Sequence, residues 1–142
     1  MSSLFFSFLI FLNPAEADNQ MDLNGSWGID VDSAIDRCIR LKLSDCRDPT
    51  KAEELRAEIK QRVATNGDAI LTFNNGSLTT AFGEQKKTGS YTFLHTGFSY
   101  AVLELIDSSA NKEILPIFLE APNVFCIAES AQASDNMCWR RK

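Results

Sequence analysis

The chain has 142 residues, of which 44% are hydrophobic, and it carries a formal net charge of −5 at pH 7. This length fits one domain with a substantial core. An acidic chain is poorly suited to bind phosphate backbones, so we expect no nucleic-acid partner. Its only basic cluster, residues 140–142, is interpreted as a solvated tail.

An uninterrupted apolar run occupies residues 4–12, and the small residues Ala15 and Ala17 follow it. This order is typical of a secretory signal peptide with its cleavage site, and the run is too short to cross a bilayer as a helix. We therefore predict a signal peptide at 1–17 and a single secreted or periplasmic domain at 18–142, without a membrane span. The alternative is an uncleaved apolar anchor.

Four cysteines, Cys38, Cys46, Cys126 and Cys138, would be oxidised in an exported protein. Four cysteines permit three pairings. We favour Cys38–Cys46 and Cys126–Cys138, because the partners of each pair are close in the chain. Their spacings are wider than those of typical zinc sites, so we expect crosslinks and not metal ligands.

Two helical segments are predicted after a first strand at 23–30. Apolar residues recur every four positions over 31–43, which indicates a short amphipathic helix or an irregular segment held by a disulfide. Over 50–64 the signals are stronger, because Asp48-Pro49-Thr50 offers a cap and Thr50 with Glu53 matches a capping box. The apolar stripe of this second helix consists of Ala52, Leu55, Ile59 and Val63.

The apolar period changes from helical to alternating after Gly67. Seven strands are predicted there, at 69–73, 77–82, 88–94, 98–106, 113–119, 124–128 and 137–140, with a polar linker at 129–136. Short turns such as Asn75-Gly76 separate most of them, so neighbouring strands should pair antiparallel. Such a meander either closes into an up-and-down barrel or stays open with a helix over one face.

The motif Gly25-Ser26-Trp27 on the first strand, followed by helix and meander, resembles the lipocalin-like (calycin-type) group of small exported barrels. The stretches 71–78 and 88–91 are also similar to bacterial lipocalin-like domains. The resemblance implies an α+β, mainly β fold, with Trp27 closing one barrel end. The order of elements equally resembles a cystatin-like arrangement, in which a meander wraps across a long helix.

Catalytic signals are weak. His95 is the only histidine, and its position near a predicted strand end favours a solvated turn residue. Asp30, Asp32 and Asp36 form an acidic cluster that fits helix capping better than Ca²⁺ binding. No nucleotide, zinc-hydrolase or serine-hydrolase motif is present, so we expect neither an enzyme nor a cofactor.

The favoured hypothesis is an exported, non-enzymatic protein that binds a small apolar ligand inside the barrel. The aromatic residues proposed to line its site are Trp27, Phe73, Tyr91, Phe93 and Tyr100. The same rings are also consistent with an ordinary core. The alternative is an interaction protein, such as an inhibitor of a secreted hydrolase or an immunity-type partner, with contacts from the turns at 74–76, 83–87 and 95–97.

Overall fold

The computed structural model describes residues 21–127 and 137–142. The predicted signal peptide and the predicted linker at 129–136 lie outside these ranges. Each strand pairs antiparallel with the next one in the chain, and the last pairs with the first, so the sheet is a closed barrel. The strands are β1 (Gly25–Ile29), β2 (Ala69–Asn74), β3 (Ser77–Phe82), β4 (Gln85–Thr96), β5 (Tyr100–Ile106), β6 (Lys112–Ala121), β7 (Val124–Ile127) and β8 (Cys138–Arg141).

Alternate side chains of each strand point into the barrel, as the period of two requires. The interior cluster includes Trp27, Leu71, Phe73, Leu78, Tyr91, Leu103, Leu115, Ile117, Phe125 and Trp139. The β2–β3 turn accepts positive φ at Asn75 (47°) and Gly76 (94°), which is the backbone that Asn-Gly predicts. These features confirm the predicted antiparallel meander and its closed form.

Pro116 lies within β6. Leu119 donates its backbone N–H to Ser99, so the alternate amide positions of β6, including Pro116, face β7. Among the described residues, the β6–β7 ladder begins at Ile117, so no described residue of β7 lies opposite Pro116 to accept the N–H that proline lacks.

Both helices lie outside the barrel, between β1 and β2. They are α1 (Val31–Arg40) and α2 (Pro49–Asn66), joined through a short 3₁₀ turn, η1 (Ser44–Cys46). Ala34 of α1 packs on the outward side chains of β7 and β8, and the neighbouring residues Val31, Ile35 and Cys38 pack on Ala52 and Ile59 of α2. Because the sheet closes into a barrel and does not wrap across a long helix, the cystatin-like alternative is wrong.

The cap of α2 lies at 48–50 as predicted, but the capping box of Thr50 and Glu53 does not form. Asp48 accepts a hydrogen bond from the Thr50 amide (3.0 Å), and Pro49 occupies the first helical turn. Glu53 instead pairs with Arg56, which bridges the two helices through Asp32 and Asp36 of α1. Asp32 and Asp36 of the predicted acidic cluster are therefore engaged in helix–helix contacts.

Both favoured disulfides are formed. Cys38–Cys46 joins α1 to η1, and Cys126–Cys138 joins directly opposed residues of β7 and β8. On the loop-entropy model each contributes roughly 2.5–3 kcal/mol to stability. Two disulfides indicate an oxidising environment. Among the described helices, none has the length and apolar character needed to cross a membrane.

Candidate binding site at the barrel mouth

Four of the five predicted ring residues lie inside the barrel. Trp27, Phe73 and Tyr91 are buried, and Phe93 is half-buried against the same cluster. Tyr100 lies outside this group: it is exposed on the outer surface of β5, beside Gly97. The alternation of β5 explains this, because Ala101 and its i+2 neighbours face inward and Tyr100 therefore faces outward.

The interior rings form a continuous edge-to-face series. Centroids are 4.8 Å apart for Trp27 and Phe125, and 6.2 Å apart for Phe125 and Phe73. The series continues from Phe73 to Tyr91 (5.1 Å) and from Tyr91 to Phe93 (5.8 Å). These distances are those of favourable aromatic pairs. The rings thus fill this part of the barrel by packing on one another.

One barrel end, here called the closed end, holds the β2–β3 turn and both described chain termini. The Trp27 indole N–H donates to the Leu23 carbonyl (2.8 Å), and the Arg141 guanidinium lies 4.3 Å above the Trp27 ring. Arg141 also donates to the carbonyls of Asp22 (2.9 Å) and Asn24 (2.5 Å). The expectation of a solvated basic tail at 140–142 is therefore wrong.

The opposite end contains a cavity of about 620 Å³, here called the mouth cavity. It lies between the β3–β4 hairpin and the start of the β5–β6 hairpin. Its lining residues are Leu78, Thr80, Lys87, Thr88, Gly89, Ser90, Leu105, Ile106, Asp107, Ser108, Ser109, Asn111, Lys112 and Glu113. None of the five predicted ring residues is among them.

The floor of the mouth cavity is apolar and is supported by two of the predicted rings. Leu78 is directly opposite Phe73 in the β2–β3 ladder, and Leu105 is directly opposite Tyr91 in the β4–β5 ladder. Directly opposed residues share one face of the sheet. Phe73 and Tyr91 therefore fix the positions of the two leucines and do not themselves line the cavity.

The β5–β6 loop forms one wall and is held by Asp107. Its carboxylate accepts from the backbone amides of Ser109 (2.8 Å) and Asn111 (2.9 Å), and from the Asn111 side-chain amide (3.2 Å). The Asn111 and Ser109 amides hold the pKa of Asp107 below its ordinary value. The loop is therefore organised by its own hydrogen bonds at neutral pH.

Gly89 allows this loop to lie against β4. A β-carbon at position 89 would come within 2.5 Å of the Ile106 carbonyl oxygen and 3.3 Å of the Asp107 α-carbon. Both obstacles are backbone atoms, so a side chain there would displace the loop. The shape of the mouth cavity thus depends on the absence of a side chain at one position of β4.

The rim carries charged side chains, and the charge of Lys87 is one of the causes that lower the pKa of Asp107. Lys87 belongs to the inward-facing set of β4 that includes Tyr91, and Glu113 is opposite the inward-facing Leu105. Lys112 lies next to Glu113. Within residues 21–127 and 137–142, none of these three forms an ion pair. Exposed ammonium groups beside an apolar floor suit a ligand with both apolar and anionic parts.

Lys87 could have been identified from the sequence. Extending the alternation of β4 backwards from Tyr91 places positions 89 and 87 on the inward face. A lysine at an inward position near a strand end indicates the open end of a barrel. Thr80 and the residues of the β5–β6 loop carry no comparable signal, because such residue types are typical of any surface turn.

The other candidate residues lie away from the mouth cavity. His95 is an exposed residue near the end of β4, one position beyond a register shift, and not a turn residue. Asp30 caps α1 by accepting from the Ser33 amide (3.0 Å), as favoured, and also pairs with Arg140. In the described part of the chain, no group of three His, Cys, Asp or Glu side chains is arranged to hold a metal.

The three turns of the interaction hypothesis do not share one surface. Those at 74–76 and 95–97 lie at the closed end, and the turn at 83–87 lies at the mouth, as strand order requires. In comparisons with known proteins, no family model, no curated protein and no solved structure matches this chain. The assignment of function therefore depends on the geometry of the site.

Proposed function

We propose that this protein is an exported, non-enzymatic, lipocalin-like binding protein that takes one small amphipathic molecule into the mouth cavity. The observation that carries the proposal is the cavity itself, at about 620 Å³. Cavities of roughly 300–1,000 Å³ are typical of small-molecule sites. The apolar floor of the cavity suits the apolar part of an amphipathic ligand, and the charged rim suits its charged group.

This proposal differs from the hypothesis drawn from the sequence, in which an apolar ligand binds among the aromatic rings inside the barrel. The rings pack on one another, whereas Leu78 and Leu105 present apolar surface to the cavity. Lys87 and Lys112 supply cations at its rim, and the oxygens of Asp107 are engaged within the loop. We therefore assign the apolar part of the ligand to the leucines and its anionic group to the lysines.

A fluorescence titration with 1-anilinonaphthalene-8-sulfonate, an aromatic sulfonate, tests this assignment. We expect saturable binding at one site per chain. Lys87→Glu reverses the charge beside the bound sulfonate, so it should weaken affinity by at least about tenfold, or about 1.4 kcal/mol. Thr80→Trp fills the cavity and should weaken binding as well.

Lys51→Glu provides the matched control, because it makes the same charge change on an exposed position of α2. This variant should bind the probe like the unmodified chain. If Lys87→Glu and Thr80→Trp bind normally, the mouth cavity is not the site and the proposal fails. Circular dichroism of each variant establishes that it is folded.

A further inference from the structure

A second cavity lies on the helix side of the barrel and shares no lining residue with the mouth cavity. It is here called the side cavity, and its volume is about 310 Å³. Its walls come from the end of β1, the start of α1, the last two turns of α2 and β8. This volume is at the lower limit for small-molecule sites, so the side cavity suits a molecule of only a few heavy atoms.

Part of the wall of the side cavity is apolar. It is formed by Ile29, Val31 and Val63, which come from three different elements. Val31 is buried, whereas Ile29 and Val63 are half-buried. These side chains offer hydrocarbon surface to a molecule that enters the cavity, so we expect its ligand to contain an aliphatic part.

The rest of the lining is charged, and four of its five charged side chains are paired with one another. Arg140 donates to the Asp30 carboxylate (2.9 Å), and the Lys60 ammonium lies 2.9 Å from the Asp32 carboxylate. Each pair joins one positive and one negative charge. The two pairs therefore contribute no net charge to the side cavity.

Asp68 is the fifth charged residue of the lining, and it gives the side cavity its net charge of −1. Within residues 21–127 and 137–142, its carboxylate forms no ion pair. Asp68 follows Gly67, the residue that ends α2. The carboxyl end of a helix carries the negative end of the helix dipole, so both the side chain and its position attract a cation.

We propose that the side cavity binds a small aliphatic ammonium ion, with its alkyl chain on Ile29, Val31 and Val63 and its ammonium group beside Asp68. An ammonium group donates charge-assisted hydrogen bonds to a carboxylate, and this carboxylate has no other cationic partner among the described residues. Asp68 is exposed and the ligand is small, so we expect a dissociation constant on the order of 1–10 mM. The inference goes beyond the proposed function and does not depend on it.

A titration of the ¹⁵N-labelled, disulfide-bonded chain with n-butylammonium chloride, followed by ¹H–¹⁵N NMR spectra at constant ionic strength, tests the proposal. We expect saturable shifts of the amide signals of Val31, Val63 and Asp68. Ammonium chloride carries the charge without the alkyl chain and should bind at least about tenfold more weakly, because it buries no methylene group. Sodium butyrate carries the chain with the opposite charge and should not bind at this site.

Asp68→Asn keeps the shape of the side chain and removes its charge, so it should raise the dissociation constant for n-butylammonium at least about threefold. Glu54→Gln is the matched control, because it removes a carboxylate from the exposed surface of α2, and it should bind normally. The same spectra show that each variant is folded. Unchanged binding by Asp68→Asn, equal binding of ammonium or butyrate, or no saturable shift up to about 100 mM would overturn the proposal.

Discussion

The guanidinium of Arg141 combines three contacts at the closed end. It lies over the Trp27 ring at 4.3 Å and donates to two backbone carbonyls of the segment before β1. Trp27 in turn donates to Leu23 in that same segment. One arginine therefore joins the last strand, the first strand and the chain that precedes it.

Replacing Arg141 by alanine should lower the free energy of unfolding by about 1–3 kcal/mol, because a cation–π contact and two hydrogen bonds are lost. Arg140→Ala is the control, since Arg140 makes one exposed pair with Asp30 and its loss should cost less than about 1 kcal/mol. Urea unfolding followed by tryptophan fluorescence measures both. Equal losses for the two variants would contradict the assigned role of Arg141.

At the scale of elements, an ionic cluster joins α1 and α2. Arg56 of α2 donates to Asp32 (2.7 Å) and Asp36 (2.9 Å) of α1, and Lys60 lies 2.9 Å from Asp32. Hydrogen bonds from Lys60 and Arg56 hold the pKa of Asp32 below its ordinary value of 3.8. The cluster is exposed, so its contribution to stability is small.

The lowered pKa of Asp32 predicts a pH dependence with a definite sign. A folded-state pKa below the unfolded value adds stability above about pH 4, and that stability is lost as pH falls through the folded-state pKa. Asp32→Asn should therefore be less stable than the unmodified chain at pH 6, and the difference should vanish near pH 2. Chemical unfolding at both pH values measures it.

Glu54→Gln is the control for this comparison, because Glu54 forms no ion pair among the described residues. It should show little difference from the unmodified chain at either pH. A deficit of Asp32→Asn that grows on acidification would mean that the carboxyl group of Asp32 is stabilised in its protonated form, contrary to the geometry.

The elements themselves were largely predictable from the sequence. Alternating apolar residues and Asn75-Gly76 locate β2 and β3, and the disulfide partners follow from their short separation in the chain. The capping box at Thr50 was wrong, because Asp48 reaches the Thr50 amide first and Glu53 finds Arg56. Local patterns specify a helix start only to within a few residues.

The contacts created by barrel closure were not predictable in the same way. Arg141 meets Trp27 only because β8 pairs with β1, two strands at opposite ends of the chain. Both faces of β5 are apolar, so its residues alone do not show that Tyr100 points outward, and its pairing with β4 decides which face is inward. The mouth cavity is lined largely by polar turn residues, whose types carry no information about a site.

At the scale of the whole molecule, the barrel separates two kinds of apolar surface. The floor formed by Leu78 and Leu105 lies inside the mouth, within reach of a small ligand. Tyr100, Ile114 and Phe118 lie outside, on the outward row of β5 and β6. Helix α1 packs over β7 and β8, and its Arg37 guanidinium lies 6.0 Å from the centre of the Phe118 ring.

Native mass spectrometry of protein purified from its own source tests the central claim most directly. The account predicts one retained small molecule on each chain, amphipathic and anionic when extracted, and its loss from a Thr80→Trp variant expressed in the same source. Protein that carries the mass of the disulfide-bonded chain alone, with no small molecule recovered on extraction, would contradict the account.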